Sequence, residues 1–357
     1  MPLANVTGGS NGVAPIQPSG ESLAQPAVAP PATPEPSLGP RTTPLPSTIP
    51  SPGVGRSGGL PASTALGTKA FKNNPSLVAI AEGVAPAMKR GIPKNDAVGV
   101  VQTLLYSLGL LPTTADVDRA FGPKTEAALK SFQGVRSGLA VTGKLDAATV
   151  RALDAAAHEA ITAHKSAAVA QGSKRAQFDI VVDIANSSKA RIYVLDSAGE
   201  PVARYLTSPG TAQYPTVGNS FRISEVLPRR PWNPPASAWA ANAKPVAPGI
   251  HNPMGILKLS LGAYSEYIHG VPAHEEPELG HAASHGCLRM SGANILEFHE
   301  KYCEAGSKVS INRNMAQSEA LEEKILAAGL SDRPTDAGRA LMFGYVSGEL
   351  GAYQKKP

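Results

Sequence analysis

Val98, Val101, Leu104, Leu105 and Leu108 recur three and four residues apart behind a cap at Asn95 or Asp96, the period of a helix with one apolar face. A second helix is predicted from Pro123, whose fixed φ suits a first helical turn, with Ala128, Leu129 and Phe132 on its apolar side. A third is predicted from near Asp146, carrying Val150 and Leu153. Residues 117–129 and 141–153 echo each other: each is a turn followed by a short helix with Thr in its first turn and Leu four residues later. The Ala-rich stretch 154–175 favours helix but has little apolar period, as suits a spacer. From Phe178 the texture becomes β. Short β-branched runs at 178–184 and 191–195 lead through a turn at 196–200 into 202–206, and further strands are predicted at 220–226, 255–261, 264–269 and 308–311. One helix follows at 291–304, and beyond Asn312 the pattern supports one helix near 318–328 and weaker segments.

Composition separates the ends from the middle. Residues 1–70 contain no Phe, Trp or Tyr and only Glu21, Glu35, Arg41 and Arg56 as charges before Lys69. Such a Pro-, Gly- and Ser-rich stretch cannot bury enough apolar surface to offset its ordering entropy. The expected organisation is multidomain α+β: a disordered tether over 1–90, a three-helix module over 94–155, a helical spacer over 156–176, a β-rich, sandwich-like domain over 177–313, and a helical or irregular tail over 314–357. No apolar run is long enough for a transmembrane segment, and the N-terminus lacks the basic and apolar regions of a secretory leader. A net charge of +5 admits an anionic partner, but no basic block with interleaved aromatics supports nucleic acid.

The chemistry concentrates between residues 269 and 289, where Cys287, one of two cysteines, follows His285 and Gly286 in a polar, histidine-rich stretch. A thiol in such surroundings suits reactivity better than packing. A catalytic thiol needs a base within reach, and His269, at the end of the run Tyr267-Ile268-His269, is the best candidate. The backbone carbonyl of Gly270 can orient its ring. The N–H groups of His285, Gly286 and Cys287 are the local supply for a developing oxyanion. Arg289 would otherwise pair with Glu276 or Glu278, Cys287 would otherwise be inert, and Cys303 reads as a packing residue. The Pro- and Ala-rich segment 229–248, with Trp232 and Trp239, reads as a lid or substrate wall, or else as a packed surface loop.

Two resemblances add to these readings. Through Val101-Gln102-Leu105, Phe121-Gly122, Thr125, Phe132-Gln133, Gly138-Leu139, Thr142-Gly143 and Thr149, the helical module resembles the peptidoglycan-binding type 1 domain. Through His269-Gly270, Gly280, Ser284-His285-Gly286-Cys287 and Arg289, residues 178–312 resemble the YkuD-type L,D-transpeptidase family. That resemblance implies Cys287 as nucleophile, His269 as general base, Gly270 as its orienting carbonyl, and Gly286 as an oxyanion donor. It further implies Ser284 and His285 in the cleft, Arg289 near the nucleophile, and Tyr214 and Thr216 as substrate-binding residues. The chain departs from the family pattern at Val271, where Thr or Ser is usual, and at Val217 and Gly218, where Pro and a later Gly are usual.

The implied reaction expels the terminal D-alanine of a tetrapeptide stem through a thioester and forms a 3-3 crosslink, with no cofactor and no metal. Partners would be peptidoglycan stems and glycan strands, with a wall-anchored protein as a further acceptor, and the location periplasmic or extracellular. Water as acceptor would give an L,D-carboxypeptidase, a protein amine a ligase, and a vestigial site a non-catalytic wall-binding protein. A zinc hydrolase built on His269, His274, His281, His285, Glu275, Glu276 and Glu278 is disfavoured, since no His-Glu-x-x-His occurs and Pro277 interrupts the needed helix.

Overall fold

The computed structural model describes residues 65–170, 173, 177–186, 188–262, 266–332 and 336–351, without the side chains of 167–170 and 336. Residues 1–64 of the expected tether, 171–172 and 174–176 of the spacer, and 264–265 of one expected strand lie outside the described residues.

The tether does not extend to residue 90. Helices α1 (Lys69–Lys72) and α2 (Pro75–Ala81) bury Phe71, Leu77 and Ile80. The start of α1 is held by a distant carboxylate: Asp154 accepts from the N–H groups of Gly67 and Thr68 and from the Thr68 hydroxyl. The three expected helices are α3 (Asp96–Ser107), α4 (Pro123–Val135) and α5 (Ala147–Ala170), so the third helix runs on unbroken through residues 156–170 of the expected spacer. Asn95 caps α3 through its side chain, and Pro123 opens α4.

The sequence echo corresponds to a structural repeat built around two buried glutamines. Gln102 Nε2 donates to Asp118 Oδ1, the Ala120 carbonyl and Thr125 Oγ1, while its Oε1 accepts from the Arg119 N–H. Gln133 Nε2 donates to Thr142 Oγ1, the Lys144 carbonyl and Thr149 Oγ1, while its Oε1 accepts from the N–H groups of Thr142 and Gly143. Arg119 and Gly143 occupy the same slot of the repeat, with φ of 67° and 68°. This left-handed conformation is free for the glycine and strained for the arginine.

The β region forms two sheets. One has five strands in the order β3-β2-β1-β9-β4: β1 (Asp179–Asp183), β2 (Arg191–Leu195), β3 (Pro201–Leu206), β4 (Ser220–Arg222) and β9 (Lys308–Asn312). The other has the order β5-β6-β7-β8: β5 (Glu225–Pro228), β6 (Leu257–Ser260), β7 (Tyr267–Val271) and β8 (Leu288–Ser291). The predicted strand 220–226 is divided between the sheets. Its chain crosses at Ile223 and Ser224, whose N–H groups donate to the carbonyls of Ser307, just before β9, and of Ser260 in β6. β8 was not anticipated; its four residues are too few to show a period, although Leu288 and Met290 are fully buried. Ser291 then caps α6 (Gly292–Tyr302), which packs on β7.

The tail differs most from expectation. Besides α7 (Met315–Ala327), it forms α8 (Asp336–Ser347), which buries Leu341, Met342, Phe343 and Tyr345 against α3, α5 and α6. The helical module and the β region therefore share a core through α8. Among the described residues, no helix is long and apolar enough to cross a membrane.

Candidate active site

β7 and β8 run parallel, with Ile268 opposite Leu288 and His269 opposite Arg289. Ile268 and Leu288 are fully buried in the core. Alternation then places Tyr267, His269, Cys287 and Arg289 on the opposite, cleft-facing side. One step back along the ladder sets Cys287 beside Tyr267, whose N–H donates to its sulfur.

His269 is 3% exposed, and its Nδ1 lies 2.8 Å from the Gly270 carbonyl. A carbonyl only accepts, so Nδ1 carries the proton and Nε2 is left as a base. The Gly270 carbonyl is reachable because Gly255 packs against it: a Cβ on Gly255 would meet the Gly270 backbone at 2.6 Å, and its φ of 62° also favours glycine. Burial pushes the imidazole down to about 4, a shift only partly offset by the Gly270 hydrogen bond and reinforced by Arg289 and Lys258. Burial raises the Cys287 thiol, as does Glu266; the Tyr267 N–H, Arg289 and Lys258 oppose that rise. At neutral pH the resting pair is a neutral thiol with a neutral imidazole.

Several expected cleft residues are committed to the loop itself. The Ser284 hydroxyl donates to the Cys287 carbonyl and accepts the Gly286 N–H at 3.1 Å, so Ser284 braces the turn and the Gly286 N–H is occupied as a donor. Thr216 likewise engages the backbone. Its buried hydroxyl donates to the Gly286 carbonyl at 2.7 Å and accepts the Gly210 N–H. Arg289 pairs with Glu275 and Glu278 at 3.4 and 3.5 Å. Glu276, the other expected partner, instead accepts from the Gly292 N–H.

His285, Tyr214 and Trp239 converge on the exposed side. The Trp239 ring stacks on His285 at 4.1 Å and 18°, and Tyr214 meets the same imidazole at 4.7 Å. Trp239 remains 43% exposed. Trp232 stands apart from this cluster, exchanging backbone hydrogen bonds with Val246 and so closing the neck of segment 229–248. That segment is anchored from below by Asn252, whose side chain donates to the Val246 and Ala247 carbonyls. Sequence reasoning passed over Lys258 and Glu266. Their only signal is cross-strand register, which no local motif carries. Cys287 and Cys303 are not joined in a disulfide, and Cys303 is fully buried. Among the described residues, no three His, Cys, Asp or Glu side chains gather to hold a metal ion.

The family model of the L,D-transpeptidase catalytic domain matches residues 177–311, and that of the putative peptidoglycan binding domain matches residues 94–153. Similar solved structures include an L,D-transpeptidase from Mycobacterium smegmatis, 18% identical, covering 38% of this chain and 59% of that one, with a TM-score of 0.31. L,D-transpeptidase 3 from Mycobacterium tuberculosis, in complex with a faropenem-derived adduct, is 16% identical, with coverages of 38% and 60% and a TM-score of 0.31. The L,D-transpeptidase (Yku) from Stackebrandtia nassauensis is 17% identical, with coverages of 64% and 95% and a TM-score of 0.28. The chain spans about 60% of the length of the first two. No curated protein matches it. Two family models thus match separate parts of the chain, that of the L,D-transpeptidase catalytic domain over residues 177–311 and that of the putative peptidoglycan binding domain over residues 94–153.

Proposed function

We propose that the protein is a cysteine-dependent L,D-transpeptidase acting on peptidoglycan stem tetrapeptides outside the cytoplasmic membrane. The observation that carries this reading is the pairing of β7 with β8, which sets Cys287 beside the strand of a buried His269 whose Nδ1 is fixed by the Gly270 carbonyl. His269 Nε2 takes the thiol proton as Sγ attacks the carbonyl carbon of the third stem residue. The developing oxyanion is met by the Cys287 N–H, because the Gly286 N–H is engaged by Ser284. Collapse breaks the peptide bond to the terminal D-alanine, whose amine leaves with the proton from His269, and a thioester remains. The amine of a neighbouring stem then attacks the thioester, returns a proton through His269, and releases the Cys287 thiol with a new 3-3 crosslink.

Residues 94–153 would hold the wall polymer. Their position supports this division of labour, because His251 at the base of the lid segment contacts the Val117 carbonyl of the module at 3.1 Å. The test is incubation of purified protein with tetrapeptide muropeptides and mass spectrometry of the products. Crosslinked dimers are expected, and Cys287→Ala is expected to abolish them. Tripeptides without dimers would make water the acceptor, and unchanged substrate would overturn the proposal.

A further inference from the structure

His269 is flanked by two cations in the plane of its sheet. Register places Lys258 of β6 opposite it on one side and Arg289 of β8 on the other. Leu257, Leu259, Ile268 and Leu288 all point into the core, so Lys258 shares the cleft-facing side with Tyr267, His269, Cys287 and Arg289. The two cations are not equivalent. Arg289 is neutralised by Glu275 and Glu278, whereas Lys258 has no carboxylate within ion-pair distance among the described residues. The half-buried Lys258 ammonium instead lies 4.6 Å from the centroid of the Tyr267 ring, and Tyr267 is the residue that donates its N–H to the Cys287 sulfur. A cation held over an aromatic face without a counter-ion is poised for negative charge arising nearby.

We propose that Lys258 is a positioning residue that stabilises the negative charge developing on Cys287 Sγ as the thiol gives up its proton. This rests on the reading of Cys287 as the nucleophile. The charged and titratable groups around the thiol are Lys258 from β6, Tyr267 and His269 from β7, Glu266 just before β7, Arg289 from β8, and His285 from the turn. Glu225 and Arg230 lie beyond Lys258, whose pKa is lowered by burial and by Arg230, with Cys287 and Glu225 opposing. Lys258 and Arg289 favour the thiolate and Glu266 opposes it. The same two cations disfavour the imidazolium of His269. Lys258 therefore makes both groups release protons more readily, and its removal moves the active window to higher pH.

Cys287 can be alkylated by iodoacetamide across a pH series and followed by mass spectrometry in wild type, Lys258→Met and Lys258→Arg, with Cys287→Ala as the blank for Cys303. Lys258→Met keeps an unbranched apolar stem and removes the charge. It is expected to slow labelling about three- to tenfold at pH 7, the deficit narrowing as pH rises, with Lys258→Arg restoring most of the rate. A Lys258→Met profile that superimposes on wild type, or that falls equally at every pH, overturns the proposal. Should Lys258→Met misfold by circular dichroism, Lys258→Gln carries the same comparison. Labelling does not depend on crosslinking, so loss of the functional reading would show separately, as muropeptide crosslinking that survives Cys287→Ala.

Discussion

A histidine buried without a carboxylate partner can serve as a base only if it resists protonation, and His269 meets that condition because burial lowers its pKa to about 4. Its unfolded value is the ordinary 6.5, so between pH 6.5 and 4 the unfolded chain binds a proton that the folded one refuses. Stability contributed above pH 6.5 is therefore lost as pH falls toward 4, by about 3 kcal/mol. The catalytic acid limb is expected near pH 4 to 5 and not near 6.5. Initial rates against pH, with circular dichroism at each point, would check this, and a limb at 6.5 would show that His269 is solvated or is not the base. At this scale the sequence pointed to Cys287, His269 and Gly270 as candidates because they sit within a short motif. Thr216 and Ser284 were expected as substrate contacts, and in the structure both hydroxyls hydrogen-bond backbone groups. A hydroxyl at either position can face substrate or backbone, and the bond from Thr216 to Gly286 joins residues 70 apart in the chain.

Among the elements, the repeated turns show how a polar residue can organise a small core. Gln133 Oε1 accepts two backbone N–H groups and the corresponding Gln102 oxygen accepts one. Replacement by leucine keeps approximate volume but strands those donors. Gln133→Leu is expected to destabilise by about 2–4 kcal/mol, and Gln102→Leu by less, read as midpoints of urea unfolding. Equal effects would mean that the side-chain amide, and not its carbonyl, dominates. The echo of 117–129 in 141–153 was visible in the sequence because its Thr and Leu recur, and Arg119 disguised the slot filled by Gly143. Strand boundaries were less legible. β4 and β5 read as one run because nothing in residues 220–226 records that the chain changes sheets at Ile223.

For the molecule as a whole, α8 makes the helical module and the β region one structure. The Phe343 N–H donates to Ser107 Oγ of α3, and the Tyr345 hydroxyl reaches Glu300 of α6, which also pairs with His164 of α5 at 3.2 Å. Gly338 and Gly344 made this segment read as weak, since glycine disfavours helix interiors. In the structure they permit contact: a Cβ on Gly338 would lie 2.0 Å from the Ala293 carbonyl oxygen. Removing residues 336–357 uncovers apolar surface on α3 and α6, and scanning calorimetry is expected to show a lower, divided transition in place of a single one. A truncated chain melting as one unit at the original temperature would mean that the modules are joined elsewhere.

The ladder between β7 and β8 also determines where the molecule tolerates change in length. The proposed nucleophile, Cys287, and base, His269, are spaced by strand pairing, so the segment that connects them only has to leave one strand and return to the other. Extra residues around His281, exposed between Gly280 and the paired Ala283, would lengthen the rim while the reacting atoms kept their separation. Variation in what the cleft admits can therefore arise there without disturbing how it reacts.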